Sequence, residues 1–377
     1  MNNDKRYLIW LMLVSGPTLV QKIALWDRFG NLKNLFEADE FILRENGISD
    51  VALINGLLHP AAREKSLYRA EKMISSGIRV TGLNDPDYPQ NLKKIYDPPL
   101  GLFYRGTIPD NYSYISIVGS RKATTYGRKT AYDLAAGLAG FGVCVISGMA
   151  RGIDSCAHNG ALAAKGKTIA VLGCGVDVVY PPENGNLMDR IIENGAVMSE
   201  LLSDTPPLAQ HFPVRNRIIS GMSDATVVVE AARESGSLIT ADFASEQNRD
   251  VFAVPGNITS DSSTGTNALI KQGARLCAGV GDILCEIPAL RDAASKAPDI
   301  IRPMPQWDRD PDLTPEDLAV IKCISKEAFH PDAICGFTGL SPKVVGASLL
   351  NLQLKGFAEE YPGKTFGVIR RSKRSKR

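Results

Sequence analysis

The chain has few of the residues from which metal centres and disulfide scaffolds are built. Of 377 residues only four are histidine (His59, His158, His211 and His330), and they form no ligand-like cluster. Seven cysteines stand at 144, 156, 174, 277, 285, 323 and 335, with no two in C-x-x-C spacing. That odd, scattered set argues against zinc and predicts reduced, structural thiols in a cytoplasmic protein. The phosphate loop G-x-x-x-x-G-K-[ST] is missing, which argues against a Walker-type ATPase. The full G-x-G-x-x-G pattern is missing after the first strand of the central region, which weakens a dinucleotide reading. No apolar run reaches the ~18 residues that span a bilayer. The opening MNNDKRYLIWLMLV lacks a small-residue cleavage site, so no signal peptide is expected.

What is present is ordinary for a globular chain: 44% hydrophobic and 22% charged residues. The length predicts two or three domains. The net charge is +2, but the last eight residues, RRSKRSKR, carry six basic side chains. Removing those six charges leaves a body of −4. The tail reads as a solvated end or as a salt-sensitive phosphate contact.

The pattern divides the chain into segments. Residues 1–80 read as helical, with apolar positions Leu8, Leu11 and Met12, then Val20, Ile23 and Ala24. The turn Ser15-Gly16-Pro17-Thr18 predicts a helix start with Pro near its first position. This segment resembles a small SAM-like or helix-hairpin-helix module. Residues 84–107, rich in Pro and Asp, read as an extended connector opening an 84–288 domain. Six β-branched runs follow: 114–119, 142–148, 168–173, 196–200, 225–230 and 250–256. They alternate with amphipathic stretches, which predicts an α/β fold with a doubly wound, Rossmann-like parallel sheet of about six strands. Residues 289–312 read as a linker and 370–377 as a basic tail. In 313–369, Thr314-Pro315 predicts a capped helix start. Three helices and a hairpin turning at Pro362-Gly363 then give the order of a winged helix.

In such sheets ligands bind beyond the carboxyl ends of the strands. The residues there are Gly119-Ser120-Arg121-Lys122, Ser147-Gly148-Met149-Ala150-Arg151-Gly152, Gly173-Cys174-Gly175, Ser235-Gly236-Ser237 and Pro255-Gly256. Glycine permits close backbone approach to an anion, helix N-termini offer free N–H groups, and Arg121 adds a forked cation. The set reads as a phosphate-binding ledge; singly, each turn also reads as a tight strand–helix connection. The stretch DTPPLAQHFPVRNRIISG (204–221) adds Phe212, Arg215, Asn216 and Arg217. Phe212 suits base stacking or packing beside Pro213; Arg215 and Arg217 suit phosphate or pairing with an acid such as Glu230. As catalytic bases, Asp154, His158, Glu200 and Glu230 are candidates by position only, and Asp154 also suits a helix cap.

Together VGSRKATTYGR, VISGMARGIDSCAH, KTIAVLGCGVDVVYPPEN, FPVRNRIISGMSDATVVVEA, SGSLITADFASEQNRDVFAVPG and GTNALIKQGA resemble the DNA-processing protein A (DprA/Smf) family. The resemblance implies a cytoplasmic, non-enzymatic protein of natural transformation and homologous recombination, without cofactor or metal. It implies single-stranded DNA binding, loading of the RecA recombinase and homodimerisation through the Rossmann-like domain. Onto this chain it carries DNA contacts at Gly119, Ser120 and Arg121, at Phe212, Arg215, Asn216 and Arg217, and at Ser235, Gly236 and Ser237; Lys122 and Lys271 are expected as further DNA contacts. Where some relatives have a lysine before the Phe-Pro pair, this chain has Leu208-Ala209-Gln210-His211. The rival reading is a nucleotide-binding phosphoribohydrolase-type enzyme. That group relies on P-G-G-x-G-T-x-x-E, and the nearest stretch, Ser235-Gly236-Ser237-Leu238, lacks its glutamate.

Overall fold

The computed structural model describes residues 4–288, 290, 313–325, 327–355, 357–361 and 364–368. Two compact units divide between Lys296 and Ala297. The predicted linker (apart from Leu290), the Pro362-Gly363 turn and the basic tail lie outside the described residues.

The first unit opens with six helices: α1 (Asp4–Leu13), α2 (Leu19–Phe29), α3 (Leu32–Glu37), α4 (Glu40–Glu45), α5 (Val51–Leu58) and α6 (Pro60–Ser75). Thr18 caps α2 in a reciprocal box with Gln21, so Pro17 precedes the cap rather than entering the helix. The buried face of α2 is Leu25 and Trp26; the expected Val20 and Ala24 are exposed. Trp10, Leu8 and Leu11 are fully buried in a cluster that continues through Phe103, Ile146 and Val228. The helical segment therefore shares its core with the sheet instead of standing apart.

The sheet holds nine strands in the order β1-β2-β6-β5-β4-β3-β7-β8-β9. These are β1 (Arg79–Gly82), β2 (Gly101–Gly106), β3 (Ser113–Val118), β4 (Val143–Ser147), β5 (Thr168–Val171), β6 (Ala196–Ser199), β7 (Ala225–Val228), β8 (Asp250–Ala253) and β9 (Arg275–Leu276). All six predicted strands are present and parallel to one another. The stretch read as a connector supplies β2, which pairs antiparallel with both β1 and β6 and makes the sheet mixed. The helices between strands are α7 (Thr125–Gly140), α8 (Ile153–Ala163), α9 (Gly185–Asn194), α10 (His211–Met222), α11 (Gly236–Glu246) and α12 (Thr264–Lys271), with α13 (Val280–Glu286) after β9. The chain winds outward from β3 through β4, β5 and β6, then returns to β7 on the other side of β3. Winding reverses between β3 and β7, and that is where a doubly wound sheet opens a crevice.

The second unit has helices α14 (Pro315–Ile324), α15 (Pro331–Thr338) and α16 (Pro342–Leu354), then a hairpin of β10 (Ala358–Tyr361) and β11 (Thr365–Val368). Each helix begins with proline, whose fixed φ and missing N–H suit that position. The order is that of a winged helix. Its most committed polar group is Asp317, which accepts from Thr314 N (3.1 Å) and from Asn351 Nδ2 (2.8 Å). Burial alone would raise the Asp317 carboxyl, but hydrogen bonds from Thr314, Ser348 and Asn351 hold it below the usual carboxylate range. A depressed pKa in the folded state means stability present above that range and lost as pH falls through it. Asp317→Ala should therefore cost about 1–2 kcal/mol near neutral pH. Amide exchange in α14 and α16 of the full chain should quicken, and acidification should narrow its difference from the parent.

Candidate nucleic-acid interface

The loop after β3 is fixed by close backbone contacts. At Gly119 a Cβ would stand 2.7 Å from Ile153 Cγ1 and 2.9 Å from Glu230 O, so no larger residue fits. Ser120 N donates to Glu230 O (2.7 Å), and Ile153 N donates to Ser120 O (3.2 Å). The Ser120 hydroxyl accepts from Lys122 N (3.1 Å), tightening the turn. The buried Glu230 carboxylate accepts from Thr124 N and Thr124 Oγ1, both at 2.8 Å. Gly152, at φ +77°, faces the carbonyls of Ser120 and Arg121, an approach that a Cβ would block. These contacts throw Arg121 and Lys122 outward, ahead of the N-terminus of α7, and both are exposed. Among the described residues neither has a carboxylate within ion-pair distance, although the charge of Arg121 reaches the buried Asp154.

Arg121 is held by an aromatic ring instead. Its Cζ lies 5.2 Å from the Phe212 ring centroid. Tyr180 supports the same ring at 5.5 Å, tilted by 39°. Gly173 makes room, since a Cβ there would meet Phe212 Cδ1 at 2.9 Å. Phe212 is thus half-buried with a guanidinium over it, not the bare stacking surface expected; a base reaching it must displace Arg121.

The two other predicted arginines point inward, because α10 turns them toward the sheet. Arg215 is 6% exposed. Its Nη1 donates to Gly148 O (3.0 Å) and to Val171 O. Burial lowers its pKa to about 10, against the attraction of Asp154, so it stays cationic at neutral pH. It lends positive charge to the wall of the cleft, but its fork is committed to two carbonyls. Arg217 is 7% exposed and binds both oxygens of Glu200 (2.9 and 2.7 Å) and Asp97 Oδ2 (3.0 Å). The acid it pairs with is not Glu230. Arg217 as a free phosphate contact is therefore corrected: it is an internal ion-pair centre outside the cleft.

Across the crevice, Ser235 caps α11 by accepting from Ser237 N, and the two hydroxyls lie 2.8 Å apart. Asn216 Nδ2 donates to Gly236 O (3.3 Å), tying α10 to this N-terminus. A Cβ at Gly236 would meet nothing within 4 Å, so the fold itself does not demand glycine there.

These segments enclose a cleft of about 820 Å³. Gly119, Ser120, Arg121, Lys122, Phe212, Arg215, Asn216, Ser235, Gly236 and Ser237 all line it. Lys271, exposed at the end of α12, does not, and neither does Arg217. Tyr180 lines it too; it belongs to the quoted stretch KTIAVLGCGVDVVYPPEN but carries no signal as a ring support.

The candidate bases are all engaged structurally. Asp154, in the first turn of α8, accepts from Ala150 N (3.3 Å), and burial raises its pKa despite the pull of Arg215. Thr168 Oγ1 donates to Val145 O, so it accepts from His158 Nδ1 (2.7 Å), which fixes the tautomer. Burial lowers the His158 pKa to about 3, keeping the ring neutral. Glu200 is tied to Arg217 and Glu230 to Thr124. No group of three His, Cys, Asp or Glu side chains among the described residues could hold a metal ion. No single helix among them is long and apolar enough to cross a membrane.

Comparison with known proteins agrees with this architecture. Residues 79–288 match the family described as DNA recombination-mediator protein A, and residues 304–364 match the DprA winged helix domain. Protein Smf of Synechocystis is 30% identical over 97% of this chain and 99% of its own length. Protein Smf of Escherichia coli is 39% identical over 94% of each chain. The X-ray structure of DNA processing protein A from Streptococcus pneumoniae is 35% identical, with TM-score 0.61 over 75% of this chain and 98% of that one. A second structure, from Helicobacter pylori and described for its single-stranded DNA binding mode, is 29% identical, with TM-score 0.50 over 54% of this chain and 94% of that one. With both units matched and the likeness running nearly end to end, this chain belongs to the DprA/Smf family of DNA recombination-mediator proteins.

Proposed function

We propose that this chain binds single-stranded DNA in the crevice between β3 and β7, with little sequence preference, and works by binding rather than by chemistry. The observation that carries the reading is the pair of exposed cations Arg121 and Lys122, neither in an ion pair among the described residues, lining one cleft with the capped N-terminus of α11. Cations beside a helix N-terminus suit phosphates, and the Phe212 ring suits an unstacked base once Arg121 is displaced. The Helicobacter pylori relative's single-strand binding supports the same assignment. Loading of RecA, self-association through the Rossmann-like unit and a cytoplasmic location belong to this proposal through the family.

The enzymatic alternative gains nothing from the site, because Asp154, His158, Glu200 and Glu230 each serve the fold. Release of free base from AMP by the pure protein would revive it. Duplex reading by the winged helix is also unsupported: among residues 342–355 only Lys343 and Lys355 are basic.

Gly236 supplies a test that separates binding from folding. Alanine is the better helix former by up to about 1 kcal/mol, and at residue 236 it meets no neighbour. Gly236→Ala should keep or raise thermal stability while weakening single-strand affinity several-fold, because its methyl crowds the phosphate. Unchanged affinity in that stable variant would remove α11 from the binding site.

A further inference from the structure

The connector ahead of β2 ends in a loop with an unusual surface. Residues 92–97 read Leu-Lys-Lys-Ile-Tyr-Asp. Leu92 and Ile95 are buried, Lys93 and Lys94 are exposed, and Tyr96 has 103% exposure, its ring wholly in solvent. One exposed aromatic is ordinary on a protein surface. This one stands beside two lysines that have no ion-pair partner among the described residues, on a loop held from several sides. Asn91 Nδ2 donates to Asp224 Oδ1 (2.7 Å), and Arg249 Nη2 donates to Asn91 O (2.9 Å). Leu92 and Ile95 lie so close to α10 that a Cβ at Gly221 would stand 2.9 and 3.0 Å from them. Asp97 closes the loop by pairing with Arg217 Nε at 3.0 Å. The anchors leave the aromatic face and both cations free.

The loop runs between the two edges of the sheet: its Asn91 end stands at the amino edge, beside Asp224 and Arg249, which directly precede β7 and β8, and its Asp97 end reaches the cleft side. Glu200, the other carboxylate on Arg217, directly follows β6, so this ion-pair centre stands at the carboxyl lip of the sheet. Arg217 adjoins Asn216, which lines the cleft. An α-helix rises ~1.5 Å per residue, so Gly221, beneath Ile95, lies about 8 Å along α10 from Asn216, on the side away from the lip, and a strand leaving the cleft along α10 would reach Tyr96 before the two lysines.

We infer that the Lys93-Lys94-Tyr96 loop is a second contact point for the same unpaired strand, its lysines meeting phosphates and its ring stacking one base. The inference rests on the cleft being a single-strand site. It also gives Arg217 a positioning role: the buried guanidinium holds Asp97, and through it the loop, beside the lip.

The test compares full-length protein on oligothymidylates of about 5 and about 16 nucleotides at several salt concentrations. All three side chains are exposed, so Lys93→Ala/Lys94→Ala and Tyr96→Ala should fold normally. Both should bind the short oligomer as the parent does and lose affinity for the longer one, roughly tenfold for Tyr96→Ala. The double variant's salt slope on the longer oligomer should fall by about 1.4, from ~0.7 per phosphate contact. Asp97→Asn should show the same length-dependent loss, and Asp97→Glu, which keeps the carboxylate, should reverse it. Parent-like binding of the longer oligomer by the loop variants overturns the second contact while leaving the cleft reading intact. An equal loss at both lengths also overturns it. Failure of the parent to bind either oligomer overturns the cleft reading instead.

Discussion

Arg217→Ala is expected to cost the sheet-bearing unit about 3 kcal/mol, near the lower end for breaking a buried ion pair. The guanidinium is nearly sealed, while Asp97 is half exposed and Glu200 partly so, which discounts the pairs. Truncation leaves Glu200 without the charge that offsets its burial. Already in the intact protein burial raises the Glu200 pKa above its ordinary value, despite Arg217. Without Arg217 it should rise further. A carboxyl with a raised folded pKa penalises folding above that pKa, and the penalty is relieved as pH falls through it. The variant's deficit should therefore shrink on acidification. Urea unfolding followed by Trp10 and Trp26, both in the shared core, reads this directly. An undiminished midpoint would show that the ion-pair centre does not hold the unit together.

Arg121→Ala should do the opposite, sparing stability and damaging binding. Its side chain is exposed and anchored only to the Phe212 ring among the described contacts. Exposed substitutions of this kind usually stay within about 0.5 kcal/mol. A charge-assisted contact to phosphate is worth roughly 1.5–3 kcal/mol, so single-strand affinity should fall about 10- to 100-fold. The salt slope should drop by about 0.7. Arg121→Lys should recover the slope but only part of the affinity, since an ammonium lacks the fork and stacks less well on Phe212. A titration in which Arg121→Ala keeps both affinity and slope would remove this arginine from the interface.

The six parallel strands were legible because they are short, mostly buried apolar runs, most of them with a glycine at one end. The glycine turns at their ends were legible for the same reason, since Gly119 and Gly152 answer to backbone contact. Strand β2 was not, because Pro and Asp precede it and its strand character comes from pairing with β1 and β6. Strand β9 has only two residues, too few to show a period. In the site, Arg121 and Arg217 look alike in sequence: each is a cation in a polar, glycine-containing stretch. Their fates differ because α10 aims Arg217 at Glu200 and Asp97, acids 17 and 120 positions distant. Nothing local announces that pairing. The same holds for Phe212, whose partners Arg121 and Tyr180 arrive from two other loops.

The most direct test of the cleft is nuclease protection of single-stranded and duplex DNA by the parent and by Arg121→Ala at equal concentration. The single strand should be shielded by the parent, with duplex left open, and the shield should weaken sharply in the variant. Equal protection of both strand forms, or protection indifferent to Arg121, would contradict an unpaired strand lying between β3 and β7.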